Sequence, residues 1–290
     1  MSFAVGPRNT LLSPLRYPGS KRQLVHLIAD YVESLGRPVH LFVEPFAGGA
    51  SVALQLAAWG KVSSIVLADK DPLVYSFWKI AAFDTEWLIQ EMREIEVSLP
   101  MWEKMTSWQP RSTRDRAIKC LFLNRTSFSG ILHEQAGPLG GKSQRSKYSI
   151  DCRFPKETLE RRLRQISALA NDGRIHAVWP YSYETTVERI RQERGQRNVF
   201  FFFDPPFFAK AQKLYTHSFK LEDHIELARF LGRMRFPYVL SYDNHPEVKR
   251  LYGGSRRLEH VVMEYRGSAG HNTTTYELII TNLKTKGGSE

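Results

Sequence analysis

The stretch that most constrains this chain is Asn198-Val199-Phe200-Phe201-Phe202-Phe203, halted by Asp204-Pro205-Pro206. An apolar run of strand length, built from aromatic and β-branched residues, reads as a buried strand. Two prolines end it, because each fixes φ and lacks an amide hydrogen. A second apolar run, His40-Leu41-Phe42-Val43, leads into Glu44-Pro45-Phe46-Ala47-Gly48-Gly49-Ala50. Residues 51–59 then carry a helical pattern, and Ser64-Ile65-Val66-Leu67-Ala68 is a further strand ending at Asp69. Strand, glycine turn, helix, strand and acid in that order open a doubly wound α/β sheet.

The rest of the chain extends this reading. Leu24, Val25, Leu27, Ile28 and Tyr31 recur at helical spacing before Gly36-Arg37-Pro38. From Leu73 to about Arg174 the pattern becomes helical, Trp-containing and basic, with residues 159–170 the clearest helix. Strands resume at 175–178 and 238–241, a helix covers 225–234, and 258–265 with 275–281 form an antiparallel closing pair. The expected organisation is therefore a catalytic sheet in two parts, 1–72 and 175–290, interrupted by an insert over 73–174. Trp87, Trp102 and Trp108 are expected to form a small core within that insert.

Composition narrows the function. Of a formal net charge of +11, residues 101–180 carry +8, from 15 Lys and Arg against 7 Asp and Glu. Such a cluster is either a solvated basic face or a phosphate-binding module. Glycines at 130, 137, 140 and 141, with the polar segment Ser143–Lys147, mark a hairpin or long loop in the same region. Two cysteines, Cys120 and Cys152, exclude a disulfide scaffold and any cysteine-rich metal centre. No apolar run approaches a membrane span, and the first residues lack a secretory signal pattern. His217 and His224 lack metal-ligand spacing and His133 stands alone, so these histidines read as surface or DNA-contact groups and no metal is expected.

Two motifs carry chemistry. Residues 44–49 lack both the GxGxxG spacing and the P-loop lysine, yet their glycines let backbone approach a ligand at a strand end. Asp69, at the end of the next strand, could accept two hydrogen bonds from a ribose diol. The plain alternative is a tight turn beside an exposed acid. Asp204-Pro205-Pro206-Phe207 places a carboxylate, a rigid acceptor carbonyl and an aromatic plane within four residues. That set suits holding a planar base by its exocyclic amine. A simple strand-ending turn is the alternative.

Taken in order, Arg16-Tyr17-Pro18-Gly19-Ser20-Lys21, Glu44-Pro45-Phe46-Ala47-Gly48-Gly49, Asp69, Leu123-Asn124-Arg125-Thr126, Asp204-Pro205-Pro206-Phe207 and Tyr276-Glu277-Leu278-Ile279-Ile280-Thr281-Asn282 resemble the motifs of the Dam-type (D12 class, α-order) DNA adenine-N6 methyltransferases. The resemblance covers nearly the whole length. It implies a Rossmann-like, doubly wound methyltransferase sheet, mostly parallel with an antiparallel C-terminal strand. The insert would be a mainly helical plus β-hairpin domain that recognises DNA.

The resemblance also implies an activity: transfer of a methyl group from S-adenosyl-L-methionine to adenine N6 in double-stranded DNA. Tyr17 and Lys21 match positions covering the cofactor, with Lys21 near its carboxylate. Glu44, Phe46 and the Ala47, Gly48 and Gly49 turn match the wall around its methionine moiety, and Asp69 the ribose acid. Asp204, Pro205, Pro206 and Phe207 match the catalytic tetrad, and Asp204 also borders the cofactor. Phe207 stands where many members have tyrosine, which keeps stacking but loses a hydroxyl. Ser182 stands where many relatives place an aspartate against the cofactor adenine. Asn124 and Arg125, with Lys142, Arg145 and Lys147, are expected to face DNA.

In this scheme Asp204 and the Pro205 carbonyl accept the two N6 hydrogens, and the base is flipped out to stack on Phe207. The enzyme would work in a bacterial or phage-type cytoplasm, either as an orphan or beside a restriction endonuclease with which it forms no stable complex. Competing readings are methylation of cytosine N4 or of RNA, and a catalytically inactive DNA-binding relative.

Overall fold

The structure is a computed structural model that describes residues 13–16, 21–132, 136–195, 197–208, 219–254, 257–266 and 272–283. Seven strands form one sheet: β1 (Leu41–Glu44), β2 (Ser64–Ala68), β3 (Ile175–Trp179), β4 (Val199–Phe203), β5 (Tyr238–Asp243), β6 (Arg257–Arg266) and β7 (Asn272–Thr281). Their order is β3-β2-β1-β4-β5-β7-β6. The first five pair in parallel, while β7 runs antiparallel to both β5 and β6. This is the doubly wound, mostly parallel sheet that the sequence led us to expect.

Because side chains alternate across a strand, each strand feeds two cores. Phe42, Leu67, Phe200, Phe202 and Ile279 enter one, and Leu41, Val43, Val66, Phe201, Phe203 and Ile280 the other. Helices cover both faces, which is why these strands read as continuous apolar runs. All five residues of β4 are buried, and each phenylalanine so placed contributes roughly 1.5–3 kcal/mol of burial.

The first core is floored by α1 (Val25–Ser34), α2 (Ser51–Ala58), α3 (Pro72–Phe83), α4 (Thr85–Glu94), α5 (Leu99–Ser107), α6 (Thr113–Thr126) and α7 (Lys156–Asn171). The second lies under α8 (Tyr183–Arg194), α9 (Leu221–Arg233) and α10 (Pro246–Tyr252).

The segment between β2 and β3 does not build a core of its own. Trp102 is buried in the same cluster as the sheet residues Phe42 and Phe200, with Trp87 and Trp108 packed against it. Those tryptophans therefore join the sheet's own core, which corrects the expectation of a separate one. Of the hairpin or long loop expected around Gly130–Lys147, the described residues show the loop: 136–155 form successive turns with a single antiparallel bridge between Ser127 and Pro138.

Strand order reverses between β1 and β4. The chain leaves β1 toward β2 and β3, then crosses back to β4 on the other side. In open α/β sheets this reversal opens a crevice at the carboxyl ends of the two strands. Glu44 ends β1 there, and Asp204 follows β4.

Candidate active site

The turn after β1 is built by backbone. Ala47 N–H donates to the Ala68 carbonyl at 2.9 Å, tying the turn to the end of β2 three residues past β1. Gly48 adopts φ of 44°, where glycine is favoured, and Ala50 follows at 48° to cap α2. The Asp69 carboxylate reaches across from the end of β2. It accepts from Gly48 N–H at 2.9 Å and from Asp71 N–H at 2.9 Å. Asp71 in turn caps α3, accepting from Leu73 N–H at 2.8 Å with Pro72 in the first turn. One acid thus shapes the turn, and the next starts a helix.

Glu44 is 3% exposed and accepts from Ala53 N–H at 3.3 Å. Burial, with Asp204 and Asp69 nearby, holds its carboxyl well above the ordinary range. Burial and the adjacent Asp71 likewise push Asp69 up to about 7, against the lowering effect of its two backbone donors. Burial raises Asp204 to about 6. Lys21 works against that rise and Glu277 adds to it.

Lys21 lies at the centre of the crevice, 4% exposed in a short 3-10 turn, Lys21–Leu24. Its ammonium sits 3.2 Å from Asp204 Oδ1 and 3.3 Å from Glu277 Oε1. It also lies 4.7 Å from the centre of the Phe207 ring. Burial disfavours the ammonium, but the two carboxylates outweigh it and hold its pKa above the ordinary value. Behind Glu277, Ser241 Oγ donates to Oε2 at 3.0 Å. The far end of the tetrad is fixed as well: Phe208 N–H donates to Asp243 Oδ1 at 2.8 Å.

Phe46 closes one side. Its ring lies 5.6 Å from Tyr183 and 5.8 Å from Phe219, centre to centre. Ser182 follows β3 and caps α8, accepting from Thr185 N–H at 3.3 Å. Its hydroxyl is engaged by the helix start.

Lys21, Glu44, Phe46, Ala47, Gly48, Gly49, Asp69 and Asp204–Phe207 therefore gather around the strand ends, with Ser182 following β3. Tyr17 lies outside the described residues. Lys21 pairs with the tetrad's aspartate, so the structure ties it to Asp204 more directly than the sequence alone suggested.

The expectation that Asn124 and Arg125 face DNA is corrected. Asn124 is 0% exposed. Its Oδ1 accepts from Arg16 N–H at 2.6 Å, and its Nδ2 donates to the carbonyls of Arg16 and Gly130 at 2.7 and 2.8 Å. Arg125 is 6% exposed and donates to the carbonyls of Arg153 and Pro14. Burial and the neighbouring arginines 16, 162 and 153 lower its pKa to about 9. The pair clamps the N-terminal segment onto the following loop. Gly130 has to be glycine there, since a Cβ would come within 2.2 Å of the Arg16 carbonyl oxygen. Lys142, Arg145 and Lys147, in contrast, are exposed.

His224 is also corrected. It is buried against Phe208, with Nδ1 hydrogen-bonded to the Tyr242 hydroxyl, and burial lowers its pKa to about 4. His133 and His217 lie outside the described residues. Among the described residues no cluster of His, Cys, Asp and Glu could hold a metal ion. None of their helices is long and apolar enough to cross a membrane.

Residues 17–265, which include most of the strand-end groups described above, match the D12 class N6 adenine-specific DNA methyltransferases. The chain belongs to that family. Two curated relatives agree with this. The Type II methyltransferase M.CviBI of Paramecium bursaria Chlorella virus NC1A is 22% identical over 276 residues, covering 92% of this chain and 98% of that protein. The Type II methyltransferase M.MjaIII of Methanocaldococcus jannaschii is 23% identical over 244 residues, covering 76% and 79%. Within this D12-class chain, Asp243 and Trp78 border the strand-end groups although sequence reasoning singled out neither, and Glu277, quoted only as part of the closing motif, was given no role. Trp78 donates its indole N–H to the Gly48 carbonyl. A glutamate directly ahead of the apolar run Leu278-Ile279-Ile280 was the one legible signal among them.

Proposed function

We propose that this chain transfers a methyl group from S-adenosyl-L-methionine to N6 of an adenine flipped out of duplex DNA. The observation that carries the reading is the Asp204 carboxylate, held by Lys21 at the sheet's reversal point with the Pro205 and Pro206 backbone rigid behind it.

The residues present fit such a cofactor. The buried Glu44 feels repulsion from both Asp204 and Asp69, and burial raises the pKa of all three carboxyls. A cationic ligand bearing a diol would offset that repulsion. Asp69 would take the ribose hydroxyls, Glu44 and the Ala47–Gly49 turn the methionine portion, Tyr17 and Phe46 its flanks, and Ser182 the adenine side. The cofactor, when bound, supplies a methyl group on an activated sulfonium.

The chain's own residues do the positioning. The adenine N6 lone pair is delocalised into the ring and is a poor nucleophile. Asp204 and the Pro205 carbonyl each accept one N6 hydrogen, which frees the lone pair to attack in line. The N6 proton released as the new bond forms passes to the Asp204 carboxylate, with a neutral thioether as the leaving group. Phe207 stacks on the extruded base, whose amine is unreachable inside a duplex. The exposed Lys142, Arg145 and Lys147 would meet phosphates or base edges, and residues 73–174 would present the recognition surface. The activity would serve a restriction–modification pair or stand alone.

Incubating duplex DNA, and RNA in a parallel reaction, with isotope-labelled S-adenosylmethionine, then analysing nucleosides by mass spectrometry, tests this. Labelled N6-methyladenine is the expected product. Labelled N4-methylcytosine, label in RNA only, or no label in any nucleoside would overturn the reading.

A further inference from the structure

Lys21 serves two carboxylates, and only one belongs to the tetrad. Glu277 is the more secluded of the two: its side chain is 4% exposed, against 26% for Asp204. It stands directly opposite Asp243 in the β5–β7 register. Two acids facing each other across a ladder repel. That cost is retained only where each is used, and here each has a partner: Ser241 and Lys21 for Glu277, and Phe208 N–H for Asp243.

We propose that Glu277, braced by Ser241, is a positioning residue for methyl transfer. It holds the Lys21 ammonium against Asp204 and returns one net negative charge to the site. The inference rests on the function proposed above.

The physical reason is a charge count. An Asp204–Lys21 pair alone is neutral and accepts a developing positive charge on nitrogen poorly. With Glu277 added, two carboxylates share one ammonium, so Asp204 remains an oriented, electron-rich acceptor. Lysine also has a long flexible stem. A second, buried anchor fixes where its charge lies, and the Phe207 face then fixes it further. The charged and titratable groups facing Asp204 are Lys21 from the 3-10 turn, Glu277 from β7, Glu44 from β1 and Tyr242 from β5.

The test is the pH dependence of single-turnover methylation, measured with saturating cofactor and DNA. Glu277→Gln removes a negative charge beside Asp204. The acid limb of the profile should move to lower pH by about one unit, and the plateau rate should fall about tenfold. In separate steady-state titrations, KM for both substrates should stay within about twofold of wild type. Lys21→Met should move the limb the opposite way, since it removes the positive charge. A purely structural role would not produce opposite shifts. Should Glu277→Gln fail to fold, Ser241→Ala keeps every charge and loses only the brace. Its plateau should fall several-fold with the limb in place.

An unchanged profile in Glu277→Gln, a limb moving upward in that variant, or wild-type rates in Ser241→Ala would overturn the inference while leaving the function intact. A wild-type protein that labels no adenine would overturn both.

Discussion

The indole N–H of Trp78 donates to the carbonyl oxygen of Gly48 at 2.8 Å, so the first helix after β2 is tied to the glycine turn after β1. Trp78 is 1% exposed, and the bond lies inside the core. Trp78→Phe keeps most of the ring and removes the donor, leaving a buried carbonyl short of its partner. We expect a loss of about 1–2 kcal/mol in unfolding free energy, and weaker cofactor binding because the turn is no longer held. Chemical denaturation with calorimetry of cofactor binding measures both. Wild-type values in each would mean that the turn supports itself.

Asp204→Ala should abolish methyl transfer while the sheet stays intact, because the residue follows β4 and does not pack inside it. DNA and cofactor affinities should change by no more than roughly 1–2 kcal/mol, the scale of one charge-assisted hydrogen bond. Turnover within tenfold of wild type would remove the tetrad from the chemistry.

Asp69 sets a trade between stability and binding. Its pKa is about 7 in the folded chain, above the ordinary value of 3.8. A carboxyl raised on folding binds its proton more tightly in the native state, so its ionisation weakens the fold as pH rises. The penalty is absent below about pH 4, grows between there and about pH 7, and is constant above. Asp69→Asn keeps only one of the two acceptor oxygens, so it loses the bond from Gly48 or Asp71 N–H at every pH, but it removes the pH-dependent penalty. Its stability relative to wild type should therefore rise by roughly 1–3 kcal/mol between about pH 4 and about pH 8 in the cofactor-free protein, while cofactor binding weakens. Thermal melts across pH, beside calorimetry, would refute this if the difference between variant and wild type did not grow in the variant's favour with pH.

The basic residues should divide by burial. Replacing Lys142, Arg145 and Lys147 with alanine should lower the salt slope of DNA binding by about one unit for each phosphate left without its cation. Arg125→Ala should instead cost stability, about 2–4 kcal/mol, because it strips the Arg153 and Pro14 carbonyls of a buried donor. Fluorescence anisotropy over a salt series, paired with denaturation, separates them. A stable Arg125→Ala protein with a reduced salt slope would reverse the assignment.

What could be read from the sequence follows from where each signal resides. The strands were legible because β4 and its neighbours are buried on both faces and so carry unbroken apolar runs. The acids at their ends were legible because a polar residue stops each run. Asn124 and Arg125 misled for the converse reason. Every position of α6 from Ala117 to Thr126 is buried, so polarity there marks an internal clamp and not a wet face. Glu277 and Lys21 meet across almost the whole length of the chain, and no local pattern announces such a pair. His224 looked exposed from its polar neighbours, but the Phe208 and Tyr242 rings that enclose it come from other elements.

The shared core beneath the sheet bears on how relatives could exchange specificity. A chimera cut at Asp71 and Arg174 would lift out Phe77, Trp78, Leu159, Leu163 and Ile166, all buried in the sheet's own core, together with the tie to Gly48. Joints at Thr126 and Lys156 leave those five in place, but they take Ile150 and Phe154 out of the same core, and with them the Gly130 and Arg153 carbonyls that Asn124 and Arg125 hold. Any sequence preference carried by this segment would be portable only as a loop that brings its own anchors to a foundation that stays with its host.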